Sequence, residues 1–258
     1  MTILYFTATG NSLYVAKSLG TKLCSIPQMI KNDNYEFTDD KIGIIFPLYE
    51  WSVNSFVANF LKKAKFETKY LFAIATYGIF AGGVASHLID ISKESGYTFS
   101  YINKIKMVDN YLPGFRMKTQ IKNEPKKHIE EQIEKVKMDI ESSRAFIVDE
   151  SALRKKATKY MVKRAEKSKK DNKKVGIARN IIVEDSCTQC GICVNVCPVN
   201  NIKVDGENGK ILLQNKCFSC FSCIQNCPQN AIHIKNQRDR SRFRNKNVSL
   251  KEIIQSNK

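Results

Sequence analysis

The chain has 258 residues, of which 42 are Lys or Arg and 25 are Asp or Glu, so its formal net charge is +17 at pH 7. This length is sufficient for two domains, each with its own core. An apolar stretch of about 18 residues suggests a transmembrane helix, and no stretch of this chain approaches that length. The first apolar run is not preceded by a signal peptide. We therefore expect a cytoplasmic protein. The basic charge favours acidic partners (a redox protein, a membrane surface or a nucleic acid) without choosing among them.

The N-terminal part alternates strand-like and helix-like segments. Thr2–Phe6 is an apolar run of strand length, and Leu13, Val15, Ala16 and Leu19 then follow at helical spacing. Further strands are predicted at 41–46, at 70–75 and between 97 and 108, with helices at 53–61 and up to about residue 95. Nearly continuous apolar strands that alternate with helices indicate a parallel sheet covered on both faces.

The loop between the first strand and the first helix reads Thr7-Ala8-Thr9-Gly10-Asn11-Ser12. Hydroxyl and backbone N–H groups that lead into a helix N-terminus can bind a phosphate dianion without a lysine. An ordinary turn with an Asn or Ser N-cap is the alternative. Ligands of such sheets lie at the carboxyl ends of the strands, so the loops after the second and third predicted strands are candidates for the rest of a flat ligand.

Thr7, Thr9, Gly10, Asn11 and Ser12 match the T-x-T-G-N-[ST] phosphate loop of flavodoxins, and the N-terminal third of the chain resembles that family. The resemblance implies an α/β doubly wound sheet of five strands in the order 2-1-3-4-5 that binds FMN. It also implies that the second and third loops enclose the flavin ring, for which the candidates are Tyr49, Trp51, Thr76, Tyr77, Gly78, Gly82 and Gly83. For the aromatic residues, packing in the core or at its rim is the alternative.

The middle of the chain combines an irregular stretch at 110–122 with two helical patterns. Ile129, Ile133, Val136 and Ile140 form an apolar stripe in a predicted helix from about 126 to 148. From Leu153 a second helical pattern carries a basic run: Arg154, Lys155, Lys156, Lys159, Lys163, Arg164, Lys167, Lys169, Lys170, Lys173 and Lys174. The run is either a solvated linker face or a docking surface for an acidic partner, and the absence of a nucleic-acid-binding motif disfavours nucleic acid.

Eight of the nine cysteines form two copies of one pattern, C-x2-C-x2-C-x3-C-P. The copies are Cys187, Cys190, Cys193 and Cys197, then Cys217, Cys220, Cys223 and Cys227. This is the spacing by which bacterial ferredoxins hold iron–sulfur clusters. Structural zinc and a disulfide framework are the alternatives. Cys24 stands apart and is predicted to be a small buried apolar residue.

Short strand-like pieces at 181–183, 202–204, 211–213 and 232–234 flank the two cysteine runs. Together they resemble the bacterial ferredoxin with two [4Fe-4S] clusters, over about residues 181 to 235. In that family the fourth cysteine of each run ligates the other cluster. The resemblance therefore implies one cluster on Cys187, Cys190, Cys193 and Cys227, and a second on Cys217, Cys220, Cys223 and Cys197.

As a whole the chain resembles flavodoxin–ferredoxin fusion proteins. The predicted domains are 1–122 (FMN-binding, flavodoxin-like), 123–180 (basic helical linker), 181–236 (small α+β ferredoxin domain with two clusters) and 237–258 (basic tail). The implied function is electron transfer between FMN, the clusters and redox partner proteins. A flavin-dependent reductase of a small molecule and a redox sensor that acts through the basic linker are the alternatives, so whether the chain is an enzyme stays open, as does its oligomeric state.

Overall fold

The computed structural model describes residues 1–170, 180–206, 209–235 and 237–258, with the side chains of 168–170 left out. Lys173 and Lys174 of the basic run lie outside the described residues, as do the side chains of Lys169 and Lys170. The elements of the first part are β1 Thr2–Tyr5, α1 Asn11–Leu19, β2 Lys22–Ser25, α2 Ile26–Lys31, β3 Glu36–Thr38, β4 Lys41–Tyr49, β5 Ser52–Val53, α3 Ser55–Lys63, β6 Lys65–Glu67, β7 Tyr70–Tyr77, α4 Val84–Ser95 and β8 Tyr101–Lys106. Those of the second part are α5 Met117–Lys122, a 3-10 helix Glu124–Lys127, α6 Ile129–Glu141, β9 Phe146–Ile147, α7 Ala152–Lys170, β10 Ile181–Val183, α8 Ile192–Asn195, β11 Ile202–Val204, β12 Ile211–Leu213, α9 Ser222–Gln225, β13 Ile232–Ile234 and α10 Leu250–Gln255.

A mixed α/β unit surrounds one sheet with the strand order β2-β1-β4-β7-β8-β9. Every pair along this path is parallel, and β5 adds a short antiparallel pairing to the end of β4. Because successive side chains of a strand point to opposite faces, β1 sends Leu4 and Phe6 into one core and Ile3 and Tyr5 into the other. Helices α3 and α4 cover the first core, and α1, α6 and α10 cover the second. The predicted parallel sheet with two covered faces is confirmed.

Strand β4 lies at the centre of this sheet, and its apolar run is completely buried. Ile42, Ile44 and Phe46 have no solvent exposure. Gly43 pairs with Phe72 on β7, and a Cβ atom at Gly43 would lie 2.2 Å from the Phe72 ring. A side chain there is excluded because a large ring already fills the space above the strand.

Two predictions for the middle of the chain are wrong in detail. The helix expected from 126 to 148 ends at Glu141, and Phe146–Ile147 pairs with β8 as the last strand of the sheet. Ser143 adopts a left-handed conformation (φ 53°), which ends the helix and turns the chain back to the sheet edge. Residues 117–122, expected to be irregular, form α5. The apolar stripe of α6 lies in the sheet core, so the boundary drawn after residue 122 does not coincide with a break in the packing.

The C-terminal region contains two small antiparallel ladders, β10 with β13 and β11 with β12. All four strands have the bounds that were predicted from the sequence. Helices α8 and α9 have four residues each and contain the third cysteine of their repeat, Cys193 and Cys223. The last segment then returns to the first unit, where α10 packs beside α1. No helix in the described part of the chain is both long enough and apolar enough to span a membrane.

A buried carboxylate fixes the start of α7 against α4. Glu150 is 4% exposed, and its two carboxylate oxygens accept the N–H groups of Ala85 and Ser86, each at 3.1 Å. Lys104 Nζ lies 3.8 Å from Glu150 Oε1 and has no hydrogen-bond partner among the described residues. Glu150 therefore neutralises both a helix N-terminus and a buried ammonium group.

We predict that Glu150→Gln lowers the free energy of unfolding by about 3–5 kcal/mol, because it leaves the Lys104 charge buried without an anion. Asp149→Asn is the matched control, since this substitution removes the same charge from an exposed side chain. Adding Lys104→Met to Glu150→Gln should restore part of the loss. Chemical denaturation of the four proteins measures this, and equal stability of Glu150→Gln and Asp149→Asn would show that the pair is not stabilising.

Candidate functional site

The eight repeat cysteines line two separate cavities. One, here the Cys217 cavity, is lined by Cys197, Cys217, Cys220 and Cys223. The other, here the Cys187 cavity, is lined by Cys187, Cys190, Cys193 and Cys227. Each cavity thus takes three cysteines from one repeat and the last cysteine from the other.

The backbone repeats the same turns around both cavities. Gln189 and Gly191 in the first repeat, and Ser219 and Phe221 in the second, all have positive φ (56°, 72°, 63° and 60°). Glycine adopts this conformation without strain, but Phe221 does so against its steric preference. Backbone donors point at two sulfurs. Ser219 N–H, in the turn of the second repeat, donates to Cys217 Sγ at 3.4 Å, and Asn201 N–H, after the end of the first repeat, donates to Cys197 Sγ at 3.2 Å.

The thiols are set in a poorly solvated environment. Burial, together with the neighbouring thiols of the same cavity, raises the pKa of Cys193 to about 11. Burial also raises the pKa of Cys217, Cys220 and Cys223. Metal binding must therefore displace protons from these thiols, and the N–H donors to sulfur stabilise the thiolates that result.

The arrangement bears on the two alternatives for the cysteines. All nine cysteines are free thiols, which argues against a disulfide framework. Among the described residues, no three His, Cys, Asp or Glu side chains converge closely enough to hold a single metal ion. The sulfurs surround two volumes, each lined by four cysteines. Cys24 lies on β2, half-buried, and packs against the first core.

The predicted phosphate loop is buried, with its side chains bonded to protein groups. Thr7 Oγ1 accepts Gly10 N–H at 3.0 Å, Thr9 Oγ1 accepts the Asn110 amide at 2.6 Å, and Ser12 Oγ pairs with Thr76 Oγ1 at 2.8 Å. The Asn11 amide donates to the carbonyl of Val108.

The side chains of the loop have hydrogen-bond partners, but several of its backbone N–H groups do not among the described residues. Asn11, Ser12 and Leu13 form the first turn of α1 and are at most 7% exposed. Their N–H groups have no acceptor among the described residues, because α1 has no side-chain cap and the first N–H groups of a helix have no intrahelical partner. Buried unpaired donors at a helix N-terminus match the oxygens of a phosphate. The loop therefore fits a phosphate through its backbone.

Two distant parts of the chain cover this loop. The Ala8 carbonyl accepts the Ser222 hydroxyl at 2.9 Å and the Asn226 amide at 3.3 Å, both from the α9 region. From the C-terminal segment, Asn245 N–H donates to the Thr9 carbonyl at 2.8 Å. A Cβ atom at Gly10 would lie 3.0 Å from the Cβ atoms of both Asn245 and Val248.

The aromatic candidates for the flavin ring have separate environments. Tyr49 packs against Phe6 and against Phe218, which lines the Cys217 cavity, and its buried hydroxyl has no partner among the described residues. Trp51 is 46% exposed and contacts the edge of Phe80. Tyr77 is half-buried at the end of β7.

Trp51 stands on a strained turn. Glu50 and Trp51 form the two-residue loop between β4 and β5, and both have positive φ (50° and 61°). Turns of this kind favour Asn and Gly, so a Glu-Trp pair is held there against its preference.

The glycines of the third loop contact the chain itself. A Cβ atom at Gly78 would lie within 2.2 Å of Asp109, and one at Gly82 would lie 2.1 Å from the Trp51 carbonyl. At Gly83 it would meet the backbone of α7 at Lys155. Thr158 of α7 bridges this loop to the second one, since its hydroxyl donates to the Trp51 carbonyl and accepts Gly83 N–H.

Several residues at the site were missed from the sequence. Phe218 lies inside a cysteine run, where its contact with the first unit leaves no local pattern. Asn110 and Asn245 lie in stretches without periodicity. Thr158 lies within the predicted helical pattern, but nothing in the sequence distinguishes it from its neighbours.

A family model described as a 4Fe-4S dicluster domain matches residues 162–232, which include all eight repeat cysteines. The C-terminal part of the chain is a ferredoxin-type domain. The match begins within α7, ahead of the predicted boundary at 181. A comparison with curated proteins finds no match.

We predict that Gly10→Ala destabilises the protein more than Gly96→Ala. Both glycines have positive φ, which is unfavourable for alanine by about 1–2 kcal/mol. At Gly96 no described atom lies within 4 Å, whereas at Gly10 the new methyl group meets the C-terminal segment, which adds about 1–3 kcal/mol of overpacking.

Denaturation midpoints and tryptic cleavage after Lys246 measure the difference, since a displaced C-terminal segment becomes a substrate for the protease. Adding Val248→Ala to Gly10→Ala should recover part of the loss. Equal effects of the two glycine substitutions would mean that the C-terminal segment does not press on the loop.

Proposed function

We propose that this chain is an electron-transfer protein that holds two [4Fe-4S] clusters and one FMN and passes electrons among them and to redox partners. The observation that carries the proposal is the grouping of eight thiols into two sets of four around separate cavities. The ferredoxin-type domain supports electron transfer as the general function. Neither a nucleophile paired with a base nor a nicotinamide-binding fingerprint was found in the sequence.

The chain would hold one cluster in each cavity. Cys187, Cys190, Cys193 and Cys227 would ligate the first, and Cys217, Cys220, Cys223 and Cys197 the second. When bound, each cluster supplies a one-electron carrier whose potential depends on burial and on hydrogen bonds to sulfur. Ser219 N–H and Asn201 N–H are such donors for the Cys217 cavity.

FMN would bind at the carboxyl end of the sheet. The unpaired N–H groups of Asn11, Ser12 and Leu13 suit its phosphate, and Trp51 and Tyr77 are the aromatic residues at the ends of β4 and β7. Without β3, β5 and β6, the first five strands of the sheet path read 2-1-3-4-5, which supports the flavodoxin-like assignment. When bound, FMN supplies a carrier of one or two electrons.

A packed aromatic layer lies between the sheet and the Cys217 cavity. Phe218 stacks on Phe56 with ring centroids 5.3 Å apart, and it also contacts Phe6 at 5.8 Å and Tyr49 at 6.2 Å. These rings exclude water between the two units and keep their distance constant. Such a fixed and dry contact suits electron exchange between a flavin and the second cluster.

Helix α7 offers a surface for an acidic redox partner. Its basic side chains from Arg154 to Lys167 are exposed, and Arg154 lies over the ring of Phe80 at 5.7 Å. Beside it, Trp51, Ile79 and Phe80 are 46%, 52% and 37% exposed. An apolar centre with a basic rim is typical of a protein-docking surface.

The exposed group of Trp51, Ile79 and Phe80 also favours a second candidate, a flavin-dependent reductase whose substrate reaches the flavin from this side. Turnover of an added small-molecule oxidant by the reduced protein, inhibited by Trp51→Ala and not by a partner-surface variant such as Lys163→Gln, would favour the reductase.

The composition test is anaerobic purification followed by iron, sulfide and flavin quantitation. We expect about eight irons, eight sulfides and one FMN per chain, with the iron titrating as one-electron couples. Stoichiometric zinc in place of iron would overturn the cluster assignment, and a flavin-free protein that does not bind added FMN would overturn the FMN assignment.

The crossed ligand sets make a separate prediction. Cys197→Ala should remove the cluster that Cys220→Ala removes, and Cys227→Ala should remove the one that Cys190→Ala removes. The electron paramagnetic resonance spectrum and midpoint potential of the remaining cluster identify which one is lost, and Cys24→Ala is the control that keeps both. If Cys197→Ala instead matches Cys190→Ala, the clusters take their ligands from single repeats.

A further inference from the structure

Four arginines alternate along the segment after β13, and one of them differs from the rest. Arg238, Arg240 and Arg244 are exposed, whereas Arg242 is turned inward and half-buried. Arg240 forms an ion pair with Glu184 at 2.6 Å. The neighbour of Arg242, Phe243, is buried in the core of the ferredoxin-type domain, which keeps this part of the segment in place.

The Arg242 guanidinium is only partly satisfied. Its Nη2 donates to the carbonyl of Ile232 at 2.8 Å and to that of Asn230 at 3.5 Å. Its Nε and Nη1 are buried without a hydrogen-bond partner among the described residues. No carboxylate of the described residues forms an ion pair with it, since Glu184 is bonded to Arg240 and Asp239 accepts the N–H groups of Ser241 and Lys118.

A guanidinium in this position needs a negative charge nearby. Arginine does not release its proton in proteins, and an uncompensated buried cation is strongly unfavourable. Burial lowers the pKa of Arg242, and the thiolate of Cys227 is the largest influence that raises it. Cys223 acts in the same direction. Asp239 acts in the same direction more strongly than Cys223 does. Ile232, whose carbonyl accepts from Arg242, lines the Cys187 cavity together with Cys227, so Arg242 lies beside that cavity.

We propose that Arg242 is a buried counter-charge of the iron–sulfur site in the Cys187 cavity and that it raises the reduction potential of that site. The inference rests on the proposed assignment of two clusters. A cluster with four thiolate ligands carries about −2 when oxidised and gains one more negative charge when it is reduced. A nearby cation stabilises the more negative, reduced state, and low solvation makes the effect stronger than at the surface.

Burial changes how strongly salt screens the charge of Arg242. The charge of an exposed arginine is screened by salt, because the Debye length falls to about 3 Å at 1 M. The buried atoms of Arg242 are screened much less. The influence of Arg242 on the potential should therefore persist at high salt.

The experiment compares the full-length wild-type protein with Arg242→Gln, Arg242→Lys and Arg244→Gln. Arg244→Gln removes the same charge from an exposed position two residues away. Each protein is first analysed for iron and sulfide, and its two cluster couples are then titrated potentiometrically at low salt and at about 1 M sodium chloride. A wild-type protein without two clusters would refute the assignment itself, before any variant is compared.

We expect the couple of the Cys187 cavity, identified as the one that Cys190→Ala removes, to shift to more negative potential in Arg242→Gln. The shift should appear at both salt concentrations, with unchanged iron content. Arg242→Lys should place this couple between its wild-type and Arg242→Gln values, and Arg244→Gln should leave both couples near the wild-type values. An unshifted couple of the Cys187 cavity in Arg242→Gln would overturn the proposal.

Loss of iron in Arg242→Gln has its own interpretation. If Arg242→Lys then keeps eight irons and couples near those of the wild type, the positive charge is the essential feature and the proposal is supported. If Arg242→Lys also lacks iron, Arg242 acts through its bonds to the carbonyls of Asn230 and Ile232, and the counter-charge role is refuted.

Discussion

The backbone of the loop after β1 is the point on which the rest of the structure depends. Its carbonyl groups are used: Ala8 accepts Ser222 and Asn226 from the ferredoxin-type domain, and Thr9 accepts Asn245 from the C-terminal segment. Its helix-side N–H groups are not used by the described residues. One short loop therefore orients the later parts of the chain through its acceptors, while the described residues leave its donors unpaired. Glycine at position 10 allows both, because its φ of 97° and its lack of a side chain let the C-terminal segment approach.

Packing between the sheet unit and the ferredoxin-type domain makes each depend on the other. Phe218 lies within the second cysteine run and packs into the first core with Phe6, Tyr49 and Phe56. Val108, Leu112 and Met117, from the chain just after β8, pack into the core of the ferredoxin-type domain in return. Each unit thus completes the core of the other. A cavity lined by cysteines is consequently held at a fixed position beyond the ends of β1 and β4, where ligands of parallel sheets bind.

The sequence predicted what depends on local spacing. Apolar runs such as Ile42 to Phe46 identify buried strands by themselves, and the cysteine spacing is specific because each run wraps one cluster site with neighbouring residues. Strand β2 was not predicted because its four residues, Lys22 to Ser25, are partly exposed and give no long apolar run. The cover of the loop could not be predicted at all. Asn245 and Thr9 are far apart in the chain, and no periodicity connects residues that meet only through tertiary packing.

The basic residues fall into two groups, those that bond within the chain and those that are exposed. Several cations act inside the molecule: Lys17 bonds Glu252 at 2.6 Å and so holds α10, and Lys41 Nζ donates to the carbonyls at the end of α6. Arg242 belongs to this group, although its type and spacing are the same as those of its exposed neighbours. The basic side chains of α7 from Arg154 to Lys167 differ, because they are exposed, and only Arg154, over the ring of Phe80, has a contact described above. The net charge of +17 therefore overstates the number of cations that are free at the surface.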